Sequence, residues 1–314
     1  MSSTSKYIMS DIPNYKEPKG FMLVITGQIT KKVAQDIGKD RFNKASNRYL
    51  KLGIHDSDFK IVNLDDLKNM TEVDRDQQLE SQKVIVFLVE HEASFDSLCT
   101  FQEEIATISA LTFVISPSTI DEISSFKTKS ENALRDKWST LSSIPTFAIP
   151  FTTSQAKSDF VNDMSIESYN FYYSFIDSVV TTVCSVYRQD DSMIGYDFND
   201  WKHVFSGNRL LNILPTIYAS EDNEANFKSN YLEGLDKAGI NLTDIKDIIC
   251  VMSASRPPSL EQTCEVTEAI EDDFAIFCTT TMKLTQDLAI FEDPSIISVN
   301  ILVSRHCEDG QLAV

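Results

Sequence analysis

The chain has 314 residues, of which 42% are hydrophobic, with a formal net charge of -19 and an isoelectric point near 4.6. That length suits one large domain or two of ordinary size, and the apolar share supports a real core, which excludes a disordered chain. The negative charge argues against nonspecific attraction to nucleic-acid phosphates or to an anionic membrane surface, so neither is expected as a direct partner.

Residues 1–20 are polar, with Ser, Lys and Pro, and are expected to form a flexible arm rather than a secretory leader. The run FMLVI at 21–25 suits a buried strand that turns at Thr26, Gly27 and Gln28. A helical pattern follows over about 30–50, with Val33, Ile37 and Phe42 near one face. A second strand is expected at 59–64, then a polar stretch over 65–82 that reads as a short helix or loop. Residues 84–89 (VIVFLV) are continuously apolar, as in a strand covered on both faces. A helix is expected over about 97–109, a strand at 111–115 ended by Ser116 and Pro117, an amphipathic helix over 121–141, and a strand at 144–149. Alternating strands and helices predict a parallel α/β sheet with its ligands at the carboxyl ends of the strands.

Residues 165–188 carry apolar and aromatic side chains almost all round, which predicts a long buried helix able to run between two domains. Beyond it the pattern changes. Strands are expected at 211–219, 245–252, 273–283 and 295–304, with helices at 223–238 and 261–270, forming a smaller mixed sheet. Residues 305–314 read as an exposed acidic tail. The six cysteines, at 99, 184, 250, 264, 278 and 307, form no C-x-x-C pair, and several sit in apolar runs. They read as reduced thiols of a cytoplasmic protein. The four histidines show no metal-ligand spacing, so no metal site is expected, and no apolar run approaches a membrane span.

The most informative stretch is GYDFNDW at 195–201. It places Asp197 and Asp200 three apart, directly after the long helix. Such a pair can cap the next helix or orient a water molecule.

The order of parts resembles the tubulin/FtsZ superfamily, most of all its phage tubulin (PhuZ-like) branch, over roughly residues 21–304. VITGQITKKVA at 24–34 resembles the first strand and phosphate loop, and IVNLD at 61–65 the second strand with its acidic end. DFNDW at 197–201 resembles the loop that serves a neighbour's nucleotide, and LNILPTI at 211–217 the first strand of the C-terminal domain. EDG at 308–310 resembles the acidic tail with which phage tubulins contact a neighbour. The resemblance implies a nucleotide-binding α/β domain at 21–164, a central helix at 165–190 and a smaller α+β domain at 191–304. It implies GTP with Mg2+ as the ligand, and longitudinal contact with itself or a related tubulin-like subunit. It assigns Asp197 and Asp200 to catalysis in trans, on that neighbour's nucleotide. It makes Gly27, Gln28, Asp65 and Asn132 the nucleotide contacts. The residue-level alternatives are a plain turn at Gly27, a solvated loop acid at Asp65 and a solvent-facing helix position at Asn132. Tyr169, Tyr172 and Tyr173 include a candidate base-stacking residue, and at least two of them are expected in the core.

The departures fall in one pocket. The family's glycine-rich loop after the third strand is replaced by Glu90, His91, Glu92, Ala93, Ser94, Phe95, Asp96 and Ser97, with no glycine. Glycines there let backbone N–H groups crowd around phosphates. A carboxylate in their place repels a phosphate charge by roughly 4 kcal/mol at 4 Å and an effective dielectric near 20. Lys31 and Lys32 stand where a glycine and a base contact are expected, and offer charge to a phosphate instead. The stretch between Asp65 and Lys83 is too short for the family's γ-phosphate loop with its flanking helices. Three readings follow: a pseudo-GTPase that forms, joins or caps filaments, an active GTPase whose dynamic filaments position phage DNA, and a nucleotide-independent scaffold.

Overall fold

The apolar runs read from the sequence become neighbouring strands of a single sheet. The computed structural model describes residues 20–42, 58–90, 92–101, 110–125, 144, 146–151, 154, 155, 157, 158, 166–184, 192–194, 209–214, 217–219, 227–254, 259, 261, 263, 264, 266, 268, 270, 279–286 and 297–306. In chain order the strands are β1 (Gly20–Ile25), β2 (Phe59–Asn63), β3 (Gln82–Leu88), β4 (Leu111–Thr119), β5 (Thr146–Phe151), β6 (Ser192–Ile194), β7 (Arg209–Ile213), β8 (Ile217–Ala219), β9 (Asp247–Ala254), β10 (Thr279–Gln286) and β11 (Ile297–His306). The helices are α1 (Gln28–Phe42), α2 (Leu64–Asn69), α3 (Glu72–Glu80), α4 (Glu92–Cys99), α5 (Ile120–Ser125), α6 (Ile166–Cys184) and α7 (Phe227–Lys237).

Among the described residues the sheet has 11 strands in the order β2-β1-β3-β4-β5-β7-β11-β9-β10-β6, with β8 paired beside β11. From β2 to β7 every pairing is parallel. Beyond β7 the sheet is mixed: β11 runs antiparallel to β7, β8 and β9, β10 is parallel to β9, and β6 is antiparallel to β10. The two halves join where Thr146 and Phe147 of β5 pair with Leu210 and Leu211 of β7. This is the expected α/β class, with a parallel Rossmann-like half, a long helix and a smaller mixed half.

Alternation along the parallel strands sends side chains into two cores. Phe21, Leu23, Ile25, Val84, Val86 and Leu88 face α1 and α6, while Met22, Val24, Ile85 and Phe87 face α2, α3 and α4. β1 and β3 are buried along their whole length, as continuous apolar runs predict. A third core lies under α7, where Phe227, Tyr231 and Leu235 meet Ile248, Cys250 and Met252 of β9.

α6 is more one-sided than expected over its described residues. It has 19 residues, about 28 Å at 1.5 Å per residue. Tyr172, Ile176, Val179, Val180 and Val183 form its buried stripe, whereas Ile166 is 80% and Phe171 44% exposed. The helix is therefore amphipathic rather than buried all round. Its stripe belongs to the same core as β1, β3, β4 and β5, and also as Ile249, Val251 and Leu302 of the second half. Tyr172 is fully buried, and Tyr169 and Tyr173 pack against that core, as expected for at least two of the three.

Other boundaries move for local reasons. β4 continues through Pro117 to Thr119 instead of stopping at Ile115. Val89 N–H donates to the Ile115 carbonyl, so Ile115 turns its backbone polar groups toward β3, and Pro117, two residues on, faces the same way. β3 has stopped there, so the missing N–H of Pro117 breaks no ladder bond. The glycine-free stretch read as a loop is mostly helix: α4 starts at Glu92, and Leu98 seats it in the second core. The polar stretch over 65–82, read as a short helix or loop, carries two short helices, α2 and α3. The first is capped by Asn63 and the second by Thr71. Within the strand expected at 211–219 the described residues form β7, ending at Ile213, and β8, starting at Ile217. β11 runs on to His306, with Arg305 buried, past the expected start of the tail.

Candidate functional site

The order 2-1-3-4-5 reverses direction at β1. The switch point therefore lies between the carboxyl ends of β1 and β3, where open α/β sheets place their ligands. Here β1 runs into Thr26, Gly27 and α1, and β3 runs into Val89 and Glu90.

Thr26 ties the two strand ends together. Its hydroxyl donates to the Leu88 carbonyl at 3.0 Å and accepts from the Glu90 N–H at 3.0 Å. Gly27 is the N-cap of α1, since its carbonyl accepts from Lys31 N–H at 3.1 Å. A glycine has no side chain to cap the helix, and two other residues supply that service. The Thr30 hydroxyl oxygen accepts from Gly27 N–H at 3.1 Å and from Thr26 N–H at 3.3 Å, the reach-back of a capping box. The Glu90 carboxylate accepts from Ile29 N–H at 3.0 Å and Thr30 N–H at 3.3 Å through the same oxygen, Oε2. Those are the two amides that an N-cap side chain ordinarily serves.

Glu90 is only 8% exposed, so its charge is held by these N–H groups and the positive end of the α1 dipole. Gly27, without a Cβ, leaves room for that approach. A Cβ built on it overlaps the Glu90 carboxyl group, which supplies all three of its nearest heavy atoms. Tyr172 of α6 lies in the same field. Burial, and then the Glu90 charge, push its phenol well above the ordinary tyrosine range.

Beside this seat a cavity of about 480 Å³ opens between α1 and the first turn of α6, lined by Gln28, Ile29, Lys32, Ile166 and Tyr169. Lys32 Nζ stands 4.4 Å from the centre of the Tyr169 ring, a cation–π contact. The Tyr169 hydroxyl donates to Asp36 Oδ2. That bond, helped by Lys39 and Lys32 and opposed by burial, holds the Asp36 carboxyl below its ordinary range.

The fold as a whole has counterparts among solved structures. The empty FtsZ dimer of M. jannaschii aligns with a TM-score of 0.59 at 13% identity, over 97% of this chain and 92% of that one. The TubZ of type III plasmid segregation gives 0.56 at 11%, over 91% and 88%. CetZ2 from Haloferax volcanii, in a GTPγS-bound protofilament, gives 0.53 at 12%, over 90% and 92%. The chain has the tubulin/FtsZ fold. No protein-family model and no curated protein matches its sequence.

The tubulin/FtsZ fold implies a guanine nucleotide with Mg2+, and the residues at the switch point do not fit its phosphates as they stand. The Ile29 and Thr30 amides already serve an anion, and a phosphate brought beside Glu90 meets like charge. Lys32 is directed onto Tyr169. Among the described residues no group of three or more His, Cys, Asp or Glu side chains is placed to hold a metal ion.

Of the sequence-derived candidates, Gly27 and Gln28 meet at this seat and its cavity. Asp65 lies at the carboxyl end of β2, exposed, in the first turn of α2, with its amide donating to Asn63 at 2.8 Å. Asn132, Asp197 and Asp200 lie outside the described residues. Sequence reasoning noticed Glu90 only as a source of repulsion and missed it as the occupant. The signal was an acid placed directly after a fully apolar strand, 63 residues from a lone turn glycine. Thr30, Asp36 and the Lys32–Tyr169 contact carried no signal of their own. Among the described residues no helix is long and apolar enough to cross a membrane.

Proposed function

We propose that this chain is a divergent tubulin/FtsZ-like cytoskeletal subunit of the phage type. It joins or caps filaments by longitudinal contacts with itself or a related subunit in the host cytoplasm, and hydrolyses no GTP in its own pocket. The observation that carries this reading is the Glu90 carboxylate on the α1 amides at the switch point. The fold supports the filament role, since the CetZ2 relative and a TubZ of Bacillus thuringiensis are both seen as protofilaments. In a head-to-tail contact one competent face is enough for capping. On this reading Asp197 and Asp200 are the acids that serve the neighbour's nucleotide by orienting an attacking water.

The test is sedimentation and electron microscopy of the purified chain, alone and with a tubulin encoded beside it, with phosphate release followed throughout. The expected result is pelleting or end-capping without hydrolysis by this chain alone, and a changed hydrolysis rate of the partner that Asp200→Ala abolishes. A chain that neither pellets nor alters its partner overturns the reading, as does phosphate release by the chain itself. The cavity beside Tyr169 favours one alternative, an active GTP-binding tubulin whose nucleoside occupies that space. It requires GTP-dependent assembly of the chain on its own.

A further inference from the structure

We propose that the cleft between α1 and α6 receives helix α3 of a second copy of this chain, in a sideways contact that repeats from subunit to subunit. Two surfaces on opposite faces of the parallel half carry the inference. On the first, Ile29, Ile166 and Tyr169 wall the cavity of about 480 Å³, and Lys32 completes its lining. Ile166 is 80% exposed, so this apolar wall stands open to water. The exposed positions of α1 as far as Lys39 are Gln28, Lys31, Lys32, Gln35 and Lys39. They include three lysines and no acid, in a chain whose net charge is -19. On the second surface, the exposed positions of α3 are Glu72, Val73, Asp74, Asp76, Gln77 and Glu80. Four are acids, and the one cation of α3, Arg75, lies over the Phe101 ring instead. Val73 is 75% exposed among these acids.

The two surfaces match in spacing as well as in sign. Asp76 lies three residues beyond Val73, on the same side of α3. Lys32 lies three residues beyond Ile29, which lines the cavity. Three residues are about 4.5 Å of helix, so Val73 seated against Ile29 brings Asp76 opposite Lys32 when the two helices run the same way. They do so without inverting a subunit. α1 leaves the carboxyl end of β1 and α3 leads into the start of β3, so both run back along parallel strands. α1 covers one face of the sheet through Val33 and Ile37, and α3 covers the other through Leu79. A copy set behind another with its strands in the same direction therefore lays α3 on α1. Each copy offers both halves of the contact, so it extends as an open row. Net charge opposes association in general, and the local pairing of lysine with acid selects this register. The contact is separate from the longitudinal one of the preceding reading and needs neither a nucleotide nor Asp197 and Asp200.

The test is sedimentation velocity of the full chain without nucleotide, over a concentration series at about 0.15 M salt. The wild type is expected to associate and to grow past the dimer as concentration rises. Val73→Ser is expected to weaken association roughly tenfold, through the loss of one buried valine. Lys32→Glu and Asp76→Lys are each expected to weaken it roughly tenfold or more, since like charges then face each other. Mixing those two variants, or combining both changes in one chain, restores association to within a few-fold of wild type. Net charge alone predicts the opposite for Asp76→Lys, which makes the chain less negative. Val73→Ser and Asp76→Lys change exposed positions and carry the test if Lys32→Glu melts too low to assay. A wild type that stays monomeric or stops at a closed dimer overturns the proposal. So does an Asp76→Lys or Val73→Ser variant that associates as tightly as wild type, or a charge exchange that restores nothing. Restored association with no effect on a partner's hydrolysis keeps this contact and sinks the filament-capping reading, and the reverse result does the opposite.

Discussion

The carboxylates of this acidic chain act through their immediate partners rather than through the net charge. Asp36 shows this with a definite sign. Its folded-state pKa lies below the ordinary 3.8 because the Tyr169 hydroxyl bonds the charged form. The carboxylate's contribution is then complete above that ordinary value and is lost as pH falls through the lower, folded value. The stability gap between wild type and Asp36→Asn is expected to stay constant near neutral pH and to close on acidification below about pH 4. Urea denaturation at a series of pH values measures it, and a gap that widens in acid refutes the assignment. Glu90 was half legible in the same way. Its charge and its place after a buried strand could be read, and the repulsion toward phosphate followed. Its direction could not be read, because Ile29 and Thr30 are reached only once β1 and β3 lie side by side.

Strands were easier to read than helices because a strand buried on both faces is a plain apolar run, and β1 and β3 are such runs. Pro117 misled, since its effect depends on where the neighbouring strand stops and no local pattern records that. α6 misled differently. Its aromatics at 169, 171, 172, 173 and 175 encircle the helix in sequence, yet only one side meets the sheet. That asymmetry makes a paired prediction. Ile176→Ala, in the buried stripe, is expected to lower stability by about 2–5 kcal/mol. Phe171→Ala, on the open side, is expected to lower it by about 1 kcal/mol or less. Chemical denaturation compares the two, and equal losses would show that the open side is covered. The end of α7 is a position that could be read forwards. Gly239 has φ 63°, and the Ile240 and Gly239 amides bond back to Leu235 and Asp236, as a glycine closing a helix does.

Seen whole, the molecule is two unlike half-sheets joined edge to edge through β5 and β7 and packed across by one helix. The class, the parallel half and the bridging helix were visible in the alternation of apolar runs. The continuity of the sheet was not, because it rests on two residue pairs, Thr146 with Leu210 and Phe147 with Leu211. Since the stripe of α6 shares one core with both halves, Val180→Ala is expected to reduce amide protection in β1 and in β9 together and to leave a single unfolding transition. Hydrogen exchange of the two strands decides it, and a loss confined to one half contradicts the shared core. The pairing of Gly27 with Glu90 also has a consequence for heredity. A glutamate codon becomes a glycine codon by one change at its middle base. That single change would leave the Ile29 and Thr30 amides without the carboxylate they now serve.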